Sequence, residues 1–126
     1  MIVLDEQISN PPLLTAIAKW YPGAVVSIRE QRPHGKILDP EIPVYLLQLR
    51  QPTLVTINYR HFFGTQFLHQ DYCIVCLKLE QRQAPRVSEL LRSLLHRPAY
   101  RTKALRMGKV ISWTENAVTH FEIGAA

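Results

Sequence analysis

The sequence predicts an α/β fold built on a central, mostly parallel sheet and closed by a C-terminal β-hairpin. Three observations carry this. Short runs of β-branched and apolar residues alternate with stretches whose apolar residues recur at helical spacing. The intervals between those runs are those of βαβ units, whose crossover connections give parallel strands. The last thirty residues break the pattern and alternate with period two around Thr114-Glu115-Asn116, as the arms of a hairpin do.

Each element has its own local reason. Ile2 to Leu4 is an apolar strand that stops at Asp5 and Glu6. Ser9 or Asn10 is placed to cap a helix that opens on Pro11 and Pro12, where proline's missing N–H costs nothing. Leu13, Leu14, Ile17, Ala18 and Tyr21 fall at helical spacing, and Pro22-Gly23 ends the run. Ala24 to Ile28 reads as a second strand and the polar stretch 29–38 as a loop. Asp39-Pro40 has the form of an N-cap followed by proline at the first helical position. Ile42, Tyr45, Leu46 and Leu49 give that helix its apolar stripe, and Pro43 still lies in its first turn. Thr53 to Ile57 is the third strand, and 61–69 is predicted to hold a turn or two of helix. Tyr72 to Leu79 is the fourth strand. Ala84 to His96 is the clearest amphipathic helix, with Val87, Leu90, Leu91, Leu94 and Leu95 on one face. In the hairpin, 109–113 and 117–123, the alternation predicts one buried face per arm.

Length and composition bound the class. At 126 residues the chain is predicted to be one domain, with residues 1–96 as the α/β core and 97–126 as a C-terminal extension. Its 47% apolar and 20% charged residues are those of a folded globule rather than a disordered segment. Apolar runs fall well short of the ~18 residues of a membrane span. MIVLDE lacks the basic start of a secretory leader, so the expected location is cytoplasmic and no membrane partner is expected. Fifteen Lys and Arg against ten acids give a net charge of +5, compatible with a polyanion such as RNA. Cys73 and Cys76 form one CxxC with no second pair, inside the strand-like YCIVCLKL. A structural zinc needs about four ligands and a redox CxxC belongs at a helix start, so both are read as buried free thiols.

The chemistry-bearing residues gather at strand ends. In a parallel sheet the loops after the first and third strands open at the same edge, where α/β proteins bind ligands. The acids Asp5 and Glu6 would there face the polar run Asn58, Tyr59, Arg60 and His61. A helix starting above that edge would bring Asp39 to the same place, and Glu41 with it. Carboxylates so gathered are the arrangement that holds Mg²⁺ or Mn²⁺ and activates water against a phosphodiester. Plainer roles compete: Asp39 caps a helix on its own account, Glu41 favours the helix dipole, and His61 and His69 lack a ligand spacing. Asp5, at the end of a buried strand, needs a partner for its charge.

MIVLDEQIS, then a helix, VVSIRE, a polar loop, DPEI and finally LVTINYRHF together resemble the short bacterial PIN-like proteins, compact relatives of the PIN-domain ribonucleases that include the VapC toxins. The resemblance covers about residues 1–96, with IVCLKL and SELLRSLL in order. It implies a three-layer α/β/α fold and a Mg²⁺- or Mn²⁺-dependent endoribonuclease acting on single-stranded RNA, with a small antitoxin-like protein as partner. Carried over by position, Asp5 matches the first metal-binding acid and Asp39 the acid of the DxxI helix. Asn58 stands at the first Asp of TxDxDF, and the second falls at Arg60, or at His61 with one insertion. Asp5, Asp39 and Asn58 are thus the implied catalytic and metal set, with Glu6 beside them. The departures at 58, 60 and 61 imply an alternative, a catalytically degenerate domain that binds RNA or protein through Arg29, Arg60 and His61. The added hairpin, with Trp113, is expected to extend a homodimer or partner surface.

Overall fold

The structure, a computed structural model, describes residues 1–31 and 41–124. Six strands form one sheet in the order β2-β1-β3-β4-β5-β6: β1 Ile2–Leu4, β2 Val25–Ser27, β3 Thr53–Thr56, β4 Cys73–Leu77, β5 Lys109–Trp113 and β6 Val118–Glu122. The first five run parallel, and only β6 is antiparallel to its neighbour. The predicted α/β class holds, and helices on both faces make three layers.

Strand periodicity builds the two cores. Ile2, Leu4, Val55, Cys73, Val75, Leu77 and Ile111 point to one face. There they meet Leu13 and Ile17 of α1 (Pro11–Ala18) and Val87, Leu91, Leu94 and Leu95 of α4 (Val87–Leu95). The alternate residues Val3, Leu54, Ile74, Cys76 and Val110 face Ile42 and Leu46 of α2 (Ile42–Leu47) and Phe62 of α3 (Tyr59–Phe62). Each fully buried Leu, Ile or Phe contributes roughly 1.5–3 kcal/mol. A sheet buried on both faces reads as continuous apolar runs, which is why the strands were visible in the sequence.

Local chemistry sets the helix starts. Asn10, not Ser9, is the cap of α1, its Oδ1 accepting from Leu13 N–H at 2.9 Å. The Ser9 hydroxyl instead reaches back to the carbonyls of Leu4 and Asp5. Pro85 shortens the amphipathic helix, so Gln81–Arg86 form a 3₁₀ segment and the α-helix starts at Val87. The predicted cap at Asp39-Pro40 lies outside the described residues; Ile42–Leu47 follow it as expected, with Pro43 in the first turn. Tyr59–Phe62 supply the single helical turn in the stretch after β3, two residues earlier than the predicted 61–69.

The hairpin forms, but it is less an appendage than the sequence suggests. β5 pairs in parallel with β4, from Ile74 opposite Val110 to Leu77 opposite Trp113. Val110, Ile111 and Ser112 are therefore all buried, and the prediction of one buried face fails for this arm. Its alternation is real but serves two cores, one on each side. The connecting segment is anchored by a buried arginine. In α5 (Lys103–Arg106) Arg106 donates to Tyr100 O at 2.8 Å and Thr53 Oγ1 at 3.3 Å. β6 stays largely exposed with no buried residue, so the predicted buried face fails for this arm too. Among the described residues no helix is long and apolar enough to cross a membrane.

Candidate functional site

Five parallel strands bring five chain segments to one edge of the sheet. Asp5 and Glu6 follow β1, the 3₁₀ segment Ile28–Gln31 follows β2, and Asn58 with α3 follows β3. Lys78 follows β4 and Thr114 follows β5. Adjacent strands lie about 4.8 Å apart, so this rim spans a row of residues contributed by distant parts of the sequence.

Asp5 sits at the floor of the rim, 8% exposed. Its Oδ2 accepts from Thr56 Oγ1 at 2.7 Å, and its Oδ1 accepts from Glu6 N–H at 2.8 Å. Thr56 Oγ1 in turn accepts from Asn58 N–H at 3.0 Å. Asp5 N–H donates to Val55 O at 3.0 Å, so backbone and side chain both join β1 to β3. This answers the partner that a buried carboxylate requires, and charge-assisted bonds of this kind are the strong ones. Asp5 also caps the 3₁₀ turn Glu6–Ile8.

Above that floor the rim is basic and aromatic. Arg60 is exposed and makes no hydrogen bond or ion pair with a described residue. Lys78 Nζ stands 5.5 Å from the Tyr59 ring centroid, within cation–π range. The Tyr59 hydroxyl accepts from Ser112 Oγ at 3.1 Å, reaching past β4 to β5. Its ring lies 5.0 Å from Phe63, and Phe63 lies 4.9 Å from Phe121. At the end of β5, Arg86 is 5.6 Å from the Trp113 ring and pairs with Glu115 at 2.8 Å. On the β2 side, Arg29 approaches Glu6 at 3.8 Å, with 63% of the arginine side chain exposed.

The residues singled out from sequence thus divide. Asp5, Asn58 and Arg60 come to one rim, with Glu6 and Arg29 at its β2 end. Asn58 precedes α3 without a side-chain capping bond. His61 packs its ring edge-on to Phe62 at 4.7 Å and lies 5.4 Å from Phe67, in the aromatic cluster on the α2 face. Glu41 is the residue before α2, half-buried. His69 stacks on Tyr72 at 5.4 Å. Asp39 lies outside the described residues.

Of the metal set that the resemblance implies, Asp5, Asn58 and Glu6 lie within the described residues. No group of three or more His, Cys, Asp or Glu among them could hold a metal ion. Glu6 turns toward a guanidinium, and Asn58 brings an amide where affinity for Mg²⁺ depends on carboxylate charge. The cysteines add nothing to the rim: both are free and buried, on opposite faces of β4. Burial pushes the Cys73 thiol up to about 12 and raises Cys76 as well, the nearby Asp5 charge adding to the latter.

Tyr59 was placed in the polar run after the third strand but given no role, and three rim residues escaped the sequence reading: Lys78, Arg86 and Trp113. The signal was present for two of them. Lys78 and Trp113 stand at the ends of predicted strands, and the strand-end logic applied to Asp5 and Asn58 extends to both. Arg86 needed the fold, since it reaches the rim from the segment before α4. Compared with protein-family models, curated proteins and solved structures, the chain matches none.

Proposed function

We propose that this chain is a PIN-like domain that binds single-stranded RNA along the C-terminal rim of its sheet and does not cleave it. The observation that carries the reading is the exchange of charge at the end of β3. Where the resemblance implies carboxylates, the rim has Asn58 and an exposed Arg60, unpaired among the described residues, next to a Tyr59 ring capped by Lys78. Proteins that hold single strands combine a cationic track for the backbone with aromatic faces for the bases. Arg29, Arg60, Lys78 and Arg86 supply the first, and Tyr59 and Trp113 the second. The net charge of +5 acts in the same direction.

Asp5 has a structural part in this reading. It accepts Thr56 and Glu6, holds β1 beside β3, and thereby sets the position from which Asn58 and Tyr59 emerge. Fluorescence anisotropy with labelled single-stranded RNA tests the proposal. Binding should persist in EDTA and weaken with salt, with a log–log slope of about −3 if the four cations meet four phosphates, at ~0.7 each. Absence of binding at low salt contradicts it. Cleavage in Mn²⁺ that Asp5→Ala abolishes would replace it with the metal-dependent ribonuclease reading, and with that the toxin–antitoxin context.

A further inference from the structure

The outer side of the edge strand β6 is bare among the described residues, and its pattern is self-complementary. Ile123 N–H donates to Gly108 O and Thr114 N–H donates to Ala117 O, each at 2.9 Å, at the two ends of the β5–β6 register. Antiparallel pairs alternate between exchanging and not exchanging hydrogen bonds. Residues 117, 119, 121 and 123 therefore turn their backbone groups toward β5. Val118, His120 and Glu122 turn theirs outward, where no described group meets them. Such an edge is a template for another strand. Beside it lies a groove of about 370 Å³, lined by residues 120–124 together with Thr65 and Leu68. Phe121 and Ile123 remain 38% and 51% exposed on that strand.

We infer that β6 pairs antiparallel with β6 of a second copy, about a two-fold axis at Phe121, to make one continuous twelve-stranded sheet. The choice of occupant rests on complementarity in this register between the Glu122 carboxylate and the His120 imidazole, which carries charge when protonated. With Phe121 opposite Phe121 of the second copy, His120 falls opposite its Glu122, and Glu122 opposite its His120. These two pairs are the ones with outward backbone groups, so each exchanges hydrogen bonds. An isologous contact of this kind closes on itself and leaves no further edge at this end. Within one chain the His120 Nδ1 is 2.7 Å from the Tyr100 hydroxyl, and its Nε2 is 3.8 Å from Glu122 of its own strand, so the pairing adds a second carboxylate beside an imidazole already held in place. On the opposite face the two Phe121 rings meet at the axis, each backed by Phe63, with Leu68 beside the groove. The register centred on His120 instead sets His120 against itself and Val118 against Glu122, with no charge pairing.

Cysteine cross-linking on the full chain tests occupant and register together. At a non-hydrogen-bonded pair the Cα atoms are about 4.5 Å apart, inside the range a disulfide spans. Under mild oxidation Phe121→Cys should give a covalent dimer in high yield, and Thr119→Cys should stay uncrosslinked. The native thiols are buried and do not compete. Sedimentation velocity of the unmodified chain should show a dimer that dissociates on dilution. A monomer at millimolar concentration overturns the inference. So does a dimer in which Phe121→Cys fails to cross-link, or a mixed Thr119→Cys/Phe121→Cys pair that cross-links in its place, the sign of the His120-centred register. A Phe121→Cys chain that has lost the wild-type circular dichroism is replaced by Phe121→Glu, which must be monomeric with the fold retained; a dimer there also overturns the inference.

Discussion

Asp5 and Arg60 stand near the ends of adjacent parallel strands and have opposite surroundings. Asp5 is 8% exposed, and both of its carboxylate oxygens accept bonds, from Thr56 and from Glu6. Arg60, two residues beyond Asn58, is exposed and unpaired among the described residues. The floor of the rim holds an acid and a hydroxyl, whereas the surface above it presents an amide and a guanidinium. The difference teaches that a residue at a site can serve the fold as well as the chemistry. Asp5 staples β1 to β3 whether or not anything binds, so its presence carries no weight for catalysis. The exposed Arg60 has no such part in the fold, and its identity is the evidence about function.

That contrast breaks most visibly in stability. Thr56→Val should cost about 2–3 kcal/mol in chemical denaturation, because it leaves a buried charged oxygen short of a donor, while Arg60→Ala should stay within about 0.5 kcal/mol. Equal losses would erase the distinction between floor and rim. The buried side also governs alkaline behaviour. A thiol whose pKa is raised in the folded state contributes stability that is complete below its unfolded value of 9.0 and lost as pH rises toward the folded value of about 12. Stability should therefore fall above pH 9, by up to about 1.4 kcal/mol per pH unit for Cys73, and the fall should be shallower in Cys73→Ala. Tyr72 and Tyr100, also raised by burial, act in the same direction.

On the rim the effects are smaller and read in RNA affinity. Tyr59→Leu should weaken binding about tenfold, the loss of one stacked base at ~1–3 kcal/mol, and Tyr59→Phe should retain most of it. An equal loss in Tyr59→Phe would mean that the hydroxyl bond from Ser112, rather than the ring face, matters. Lys78→Ala should lower affinity a few-fold and reduce the salt slope by about 0.7, one phosphate of a single strand. An unchanged slope would remove Lys78 from the track.

Much of the fold was legible because its strands are buried on both faces and its helices carry apolar stripes. IVL, TLVT and CIVCL are continuous β-branched and apolar runs, and VSELLRSLL shows its face directly. The hairpin arm KVISW was misjudged for a physical reason: alternation between Val110 and Ile111 looks the same whether one side or both are covered. Arg106 concealed the link that ties the extension to β3, since a charged residue at a helix end reads as solvated until Thr53 and the Tyr100 carbonyl are seen to hold it. At the site, Asp5 and Asn58 could be placed by strand order alone. Tyr59 and Lys78 could not be joined from sequence, because their contact depends on how far a tyrosine reaches past β4.

The proposed rim binds RNA without a metal and without cutting it. The direct measurement is incubation of purified protein with end-labelled single-stranded RNA in Mn²⁺ and in EDTA, with binding and strand integrity read on the same samples, for the wild type and for Asp5→Asn. Binding should be equal in both media, the RNA intact throughout, and the Asp5→Asn protein should bind as the wild type does while melting at lower temperature. RNA cut only in Mn²⁺, and spared by Asp5→Asn, would contradict it.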